Sequence, residues 1–401
     1  MPEQLNVGLF NESFPPLMDG VSVCVQNCAY WMQKKVGGVE VVTPRVPGAD
    51  YSGYPYRVET FPSIPVPGRK PFVTGFPEFS PSFLAHRRNT RYKIVHAHSP
   101  FMTGKAALHI ARRQGIPCVA TFHSKFRDDF EPAMPHFAVP VAVGMIVKFF
   151  ECADLVWVPQ DSVVETLREY GYKGRVEVMD NGCDLVRDYP DSFFAEARDR
   201  LGIAPGEFVM LYVGQHVWQK NTRLIIEALE RVADLPFRMY FVGEGYAAAE
   251  MRRLVSEKGL ERKVCFTGVI TQRERLVDYY AASNLFLFPS LYDTSGLVVR
   301  EAAALGTPSV MARIATAASV IRDGENGFLT ENEAESFAAL LRKLLGDREL
   351  VKRAGERASK TLVRPWEDCA EEALDRYNSL LRRRGLPLIE KQDSDNHILE
   401  R

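Results

Sequence analysis

No run of about 18 consecutive apolar residues, the length of a membrane-crossing helix, occurs in the chain, so it is read as lacking a transmembrane span. The longest approach, 137–150, is broken by Pro140, Gly144 and Lys148 and reads as a buried helix, with an interfacial role left open. The opening Met-Pro-Glu-Gln-Leu-Asn has no basic segment ahead of an apolar core, which predicts no secretory leader and a cytoplasmic location. A bias toward either charge is also missing. With a net charge of −1 over 401 residues, nucleic-acid binding driven by bulk charge is excluded, and any basic surface must be local. Cysteine is sparse: seven residues, at 24, 28, 118, 152, 183, 265 and 369, form neither a CxxC pair nor zinc-finger spacing, and they read as reduced thiols. Cys24 and Cys28 are four apart on an expected helix, and packing is preferred to a metal pair because nothing nearby completes a tetrahedral set.

What is present is the composition of a globular protein, 46% hydrophobic and 25% charged, in a chain longer than one core usually supports, so two domains are expected. Each half opens alike. Asn6-Val-Gly-Leu-Phe10 is an apolar strand followed by Asp19-Gly20-Val21 and a helical stretch over 21–32; 208–213 is another, followed by Gly214, Lys220 and a helical stretch over 224–232. Further apolar runs alternate with helical ones, at 39–43, 94–97, 118–121, 155–158 and 176–179, then at 239–242, 264–266, 285–288, 309–311 and 327–329. Strands buried on both faces with helices between them predict an α/β fold of two Rossmann-like domains with parallel sheets. The first domain is expected over 1–190 and the second over 206–364, with the junction in 188–206. Residues 44–82, rich in Pro and Gly and carrying Tyr51, Tyr54 and Tyr56, read as a long irregular insertion. One helical pattern covers 333–358 and another covers 367–383 after Pro365-Trp366, and the polar end, 387–401, is expected to be disordered.

The segment Asp293-Thr-Ser-Gly-Leu-Val-Val-Arg-Glu301 follows the apolar run 284–289 and leads into Ala302-Ala-Ala-Leu-Gly306. A buried strand there ends at Pro289, a loop carries one carboxylate, and a helix opens near Gly296 with a second carboxylate on its early turns. Amides at a helix N-terminus, here Ser295, Gly296, Leu297 and Val298, attract phosphate oxygens, while carboxylates accept hydrogen bonds from sugar or ribose hydroxyls. The predicted ligand is a nucleotide sugar, whose diphosphate also needs a cation. Lys220, in Gly214-Gln-His-Val-Trp-Gln-Lys220-Asn221 after a strand, is the candidate, because Asp128-Asp129 lacks the Asp-x-Asp form of metal-dependent transferases and no convincing metal pair is found. Gly243 and Gly245, in Val242-Gly-Glu-Gly245, let backbone approach a ligand, and Gly20 does the same in the first half. Ile270 closes Phe266-Thr-Gly-Val-Ile270 after another strand. His96 and His98 end one strand of the first half and His123 follows the next, where open parallel sheets present side chains to a ligand.

These residues resemble the donor-site signature of the retaining family 4 (group 1) glycosyltransferases of the GT-B fold, two acids with seven residues between them. The resemblance runs from about residue 6 to 366 and implies two Rossmann-like domains whose sheets face across a cleft, with the last helix, 365–386, crossing back to the first domain. It implies a retaining, metal-independent enzyme without a cofactor, moving a hexose from a UDP- or GDP-linked donor to a lipid or saccharide hydroxyl in α-linkage. Carried onto this sequence, Asp293 holds sugar hydroxyls, Glu301 the ribose, Lys220 the diphosphate, the Ile270 segment the nucleobase, and His98 the transferred sugar. Gly20 falls in the family's flexible glycine loop, and Gly243 and Gly245 in its Gly-Asp-Gly turn. Three places depart from the pattern: Asp293 stands for Glu, Gln215 for the usual Arg, and Ala315 and Ser319 for a glycine-rich turn and a glutamate. Either Lys220 and the helix-end amides suffice at the diphosphate, or another arginine, Arg223 or Arg313, reaches it.

A sugar-nucleotide epimerase and a catalytically silent sugar-nucleotide-binding protein are the alternatives, which product analysis separates. For the acceptor, Arg87, Arg88, Arg91, Lys93, Arg112 and Arg113 either face anionic lipid beside 137–150, a peripheral contact of the first domain with the inner face of a membrane, or form solvated helix faces.

Overall fold

The computed structural model describes residues 2–17, 19–66, 72–186 and 189–392. They form two compact units, Met1–Gly182 with Trp366–Arg401, and Cys183–Pro365. In the first, seven strands run in the order Arg57–Phe61, Val39–Pro44, Glu3–Phe10, Thr90–Ala97, Cys118–Thr121, Leu155–Val158 and Val176–Val178, all parallel. Helices cover both faces, which is why the last four residues of the central strands Glu3–Phe10 and Thr90–Ala97 are all buried instead of alternating. The strand order reverses between Glu3–Phe10 and Thr90–Ala97, and in such sheets ligands sit beyond the strand C-termini at the reversal. Helix Gly20–Val36 starts at Asp19, whose carboxylate accepts from the Ser22 amide at 2.7 Å while the Ser22 hydroxyl oxygen accepts from the Asp19 amide at 3.0 Å.

The second unit repeats the plan with six parallel strands, in the order Val264–Gly268, Arg238–Val242, Val209–Val213, Leu285–Leu287, Ser309–Ala312 and Gly327–Thr330. Its reversal lies between Val209–Val213 and Leu285–Leu287, so the chain following those two strands is placed to meet a common ligand. Among the described residues, no helix is long and apolar enough to cross a membrane.

Four expectations change. The insertion 44–82 is not irregular throughout: Arg57–Phe61 adds an edge strand, and Ser63–Pro65 pairs antiparallel with Val73–Gly75. That edge is held by Arg57, whose Nε lies 3.0 Å from the buried Glu40 carboxylate, a contact no periodicity reports. The helical pattern 333–358 is two helices, Ala334–Gly346 and Arg348–Thr361, because Asp347 caps the second by accepting from the Leu350 amide at 2.9 Å. The junction expected in 188–206 lies earlier, since Cys183 and Leu185 enter the second core and Tyr189 packs against Phe193 with ring centres 4.7 Å apart, anchoring an aromatic cluster there. At the other end, Leu386, Leu388 and Ile389 pack on the first unit, and Asn378 exchanges hydrogen bonds of 2.8 and 2.9 Å with the Ile389 backbone, so 387–392 are held; 393–401 lie outside the described residues.

Helix Trp366–Arg383 completes the first unit. Tyr377 stacks on Trp157 at 5.4 Å with the rings 5° apart, and its hydroxyl meets His96 Nδ1 at 2.6 Å. Lys35 bridges Glu367 and Glu371 at 2.8 and 2.7 Å.

Candidate active site

Two charged residues meet at the reversal of the second sheet. Lys220 ends the single turn Trp218–Lys220 that follows strand Val209–Val213, and Asn221, at φ 59°, redirects the chain into helix Thr222–Arg231. Asp293 sits in the loop after strand Leu285–Leu287. Lys220 Nζ lies 2.5 Å from Asp293 Oδ1 and 5.1 Å from the Tyr292 ring centre, a cation–π contact. Asp293 Oδ2 is buried without a partner. A buried carboxylate oxygen with no donor is costly, and it is an acceptor a polyhydroxylated ligand can satisfy.

Glu301 is placed differently from Asp293, because both its oxygens are engaged. Oε1 accepts from Arg273 Nη2 at 2.7 Å and Oε2 from the Tyr280 hydroxyl at 2.7 Å. Arg273 also grips Asp184 through two hydrogen bonds, at 2.5 and 3.0 Å. Burial works against the guanidinium charge, but Glu301 and Asp184 outweigh it and raise the Arg273 pKa. Burial, then the adjacent Glu301, pushes the Tyr280 hydroxyl well above its ordinary range, so it stays a donor. Each Glu301 oxygen still has a lone pair, so the carboxylate can accept from a ribose hydroxyl while Arg273 and Tyr280 fix its orientation.

The remaining second-unit positions frame these two acids. Gly296, at φ 58°, precedes helix Leu297–Ala304; Ser295 is buried, and Leu297 and Val298 are half-buried on its first turn. Ile270 is half-buried against the second core, two residues past strand Val264–Gly268. Gly243 and Gly245 are required by the packing of the protein itself. A Cβ on Gly243 would lie 2.0 Å from the Gly214 carbonyl oxygen and one on Gly245 would lie 2.4 Å from that of His216, so these glycines admit the neighbouring loop. Neither proposed substitute for the missing arginine is spare: Arg223 pairs with Glu250 at 2.9 Å and covers Trp218, and Arg313 pairs with Asp323 at 3.0 Å and Glu331 at 3.1 Å. Ala315 is buried beside the short turn Thr316–Val320 that contains Ser319.

In the first unit, Gly20 opens its helix one turn before Cys24. His98 follows strand Thr90–Ala97 and is buried; its Nδ1 is 3.0 Å from His123 Nε2, and its Nε2 has no partner. His96 stacks on His98 at 4.0 Å and is itself tied to Tyr377 and to the Thr121 hydroxyl. Burial, followed by the rings of His96 and His123, holds His98 well below the usual imidazole range, and burial brings His123 to about 3. Both rings are neutral near pH 7. The same cluster includes Cys24, for which sequence distance had suggested packing alone.

The profile of "Glycosyltransferase Family 4" matches residues 18–187 and that of "Glycosyl transferases group 1" matches 193–361. The chain is 30% identical over 319 residues to the D-inositol 3-phosphate glycosyltransferase of Xylanimonas cellulosilytica, covering 75% of each chain. This chain belongs to glycosyltransferase family 4. The family 4 enzyme is also 25% identical over 345 residues to the alpha-monoglucosyldiacylglycerol synthase of Acholeplasma laidlawii, across 82% of this chain and 86% of that one. Its GT-B fold is matched by the sucrose-phosphate synthase of Thermosynechococcus elongatus, with TM-score 0.80, 22% identity, and coverage of 94% of this chain and 100% of that one. It is a glycosyltransferase of the hexose-transferring class.

In this family 4 glycosyltransferase, sequence reasoning missed Arg273, Tyr280 and Asp184, which hold Glu301. Arg273 and Tyr280 lie seven apart on helix Arg273–Ala282, hence on one face, and that spacing was the available signal. His216 was also missed. It is fully buried among Tyr212, Phe241 and Phe266, burial lowers it to about 4, and neither ring nitrogen has a partner.

Proposed function

We propose that the enzyme transfers a hexose from a UDP- or GDP-linked sugar to a lipid or saccharide hydroxyl, with retention, in α-linkage and without a metal. The observation that carries this reading is the Lys220–Asp293 pair at the sheet reversal, with one Asp293 oxygen buried and unpartnered. A donor entering there would turn its diphosphate to Lys220 and its sugar hydroxyls to Asp293, with Glu301 on the ribose and His98 on the transferred sugar. The bond from the anomeric carbon to the phosphate oxygen breaks as the acceptor oxygen bonds on the same face, and the acceptor's proton passes to the departing phosphate. Such a step needs positioning and charge stabilisation instead of an enzymic nucleophile. A thermal-shift series with UDP-, GDP- and ADP-sugars identifies the donor, because a ligand that binds the folded state raises its melting temperature. Activity should survive EDTA, and NMR of the product should show the α-anomer. Complete loss in EDTA with recovery on Mg²⁺ or Mn²⁺ would overturn the metal-independent reading, and a β-linked product would overturn retention.

A lipid acceptor is supported by helix Val139–Glu151, which buries Val143, Ile146, Val147, Phe149 and Phe150 but leaves Val141 and Met145 exposed, together with Phe137 just before it, by 66%, 58% and 83%. Val141 and Met145, four apart on the helix, share one face, and with Phe137 they are a candidate for shallow insertion among lipid headgroups. One named relative is a synthase of alpha-monoglucosyldiacylglycerol. The basic patch contributes less than its sequence suggests, since Arg87 pairs with Glu78 at 2.7 Å and Lys93 donates to the Leu388 carbonyl at 2.8 Å. Val141→Glu combined with Met145→Glu should strongly reduce co-sedimentation with anionic vesicles while leaving the melting temperature unchanged. Equal co-sedimentation would remove the peripheral membrane contact from this reading.

A further inference from the structure

Three groups that favour the same kind of cation meet in the first unit. The Cys24 sulfur and one nitrogen each of His98 and His123 lie within 4.8 Å of one another, supplied by helix Gly20–Val36 and by the chain following strands Thr90–Ala97 and Cys118–Thr121. Two of the three residues, Cys24 and His98, are 4% exposed, whereas His123 is half-buried and leaves the group an open side. Asn181 Oδ1 is 3.6 Å from the Cys24 sulfur. Ligand atoms on one tetrahedral zinc lie roughly 3.3 to 3.6 Å apart, given the usual Zn–N, Zn–O and Zn–S bond lengths. The 3.0 Å between the two imidazoles must therefore open by a few tenths of an ångström, while the sulfur, now within 4.8 Å of them, closes toward the cation.

We propose that Cys24, His98 and His123 form a binding site for a thiophilic divalent cation such as Zn²⁺, and that its occupation reversibly blocks sugar transfer by holding His98. The inhibitory part rests on the role given to His98 under Proposed function; the binding part does not. One thiolate with two imidazoles is a ligand set that suits zinc and leaves a fourth position for an amide oxygen or water. Both imidazoles are neutral, so their lone pairs are available without loss of a ring proton to solvent. The hydrogen now shared by the His98 and His123 rings moves to the other nitrogen of its ring, and His98 Nε2 has no existing bond to surrender. Cys24 loses its thiol proton to solvent as the sulfur–metal bond forms, so one proton is released per cation bound. Its hydrogen bond with Cys28, and burial behind it, raise the thiol pKa, which sets the cost that the cation must overcome.

The test uses the full chain after EDTA treatment and desalting, titrated with Co²⁺. One equivalent should produce a near-ultraviolet thiolate-to-cobalt charge-transfer band with the visible bands of tetrahedral cobalt, displaced by Zn²⁺. The band should vanish in Cys24→Ser and weaken in His123→Gln. No band, or a band undiminished in Cys24→Ser, overturns the site. One equivalent of Zn²⁺ should slow transfer by the wild-type enzyme at least about tenfold, the scale of losing one strong hydrogen bond to the substrate, whereas Cys24→Ser should keep its rate. Wild-type rates in the presence of a full charge-transfer band would overturn the inhibitory role while leaving the site standing. His98→Ala assayed in EDTA separates the two readings: unchanged kinetics there would remove the catalytic role of His98, and the cobalt titration would still decide the site.

Discussion

Lys220→Ala should lower kcat/KM by roughly 10- to 150-fold, the range expected when one charge-assisted hydrogen bond of about 1.5–3 kcal/mol to a ligand is lost. The effect is placed near the upper end because Gln215 leaves the diphosphate without the family's usual arginine, and Arg223 and Arg313 are paired with other carboxylates. Neither arginine is therefore placed to take over. The fold should persist, since Lys220 ends a single turn outside the core, although Asp293 loses its paired cation and some stability goes with it. Circular dichroism and initial rates over a range of donor concentrations check both halves of the claim. Wild-type kinetics would remove Lys220 from the donor site.

Glu301→Gln should lower kcat/KM by at least about tenfold and should also lower the melting temperature. The substitution leaves Arg273 half-compensated, with Asp184 as its remaining carboxylate, and gives the Tyr280 hydroxyl a weaker acceptor or an amide group facing it. Breaking one arm of a buried charged network costs about 1–3 kcal/mol. Arg273→Gln should reproduce much of the stability loss while affecting turnover less, because it acts only through the orientation of Glu301. A double-mutant cycle between the two should give a coupling well above the ~0.5 kcal/mol of independent sites. Additive effects would show that Arg273 does not position Glu301.

The features legible in the sequence are those written within one stretch of chain. Both sheets could be traced from short apolar runs, and the two acids with seven residues between them fall on one loop and the helix behind it. The edge strand Arg57–Phe61 escaped because the charge of Arg57 is accommodated by a buried carboxylate on the neighbouring strand. The support of Glu301 escaped for a related reason: its partner Arg273 is 28 residues away, and Arg273 reaches Asp184 across 89 more. The Cys24, His98 and His123 cluster needs three separate segments, so no spacing rule could have assembled it. Gly243 and Gly245 make room for protein backbone, a requirement that looks identical in sequence to room for a ligand.

The return of the chain to its first unit at Trp366 has a consequence for synthesis. On the ribosome the first unit is translated almost to completion and then must wait while all of Cys183–Pro365 is made before its last helix emerges. During that interval the wall that Leu374, Tyr377 and Leu381 will cover is bare, with Trp157 lacking its stacking partner and His96 lacking the Tyr377 hydroxyl. Domains generally fold in the order they are synthesised, but here the second unit can close first and the first unit can only finish afterwards. A nascent chain stalled before residue 366 therefore exposes an aromatic surface suited to capture by a chaperone, and His96 gains its Tyr377 partner only when the final helix has been translated.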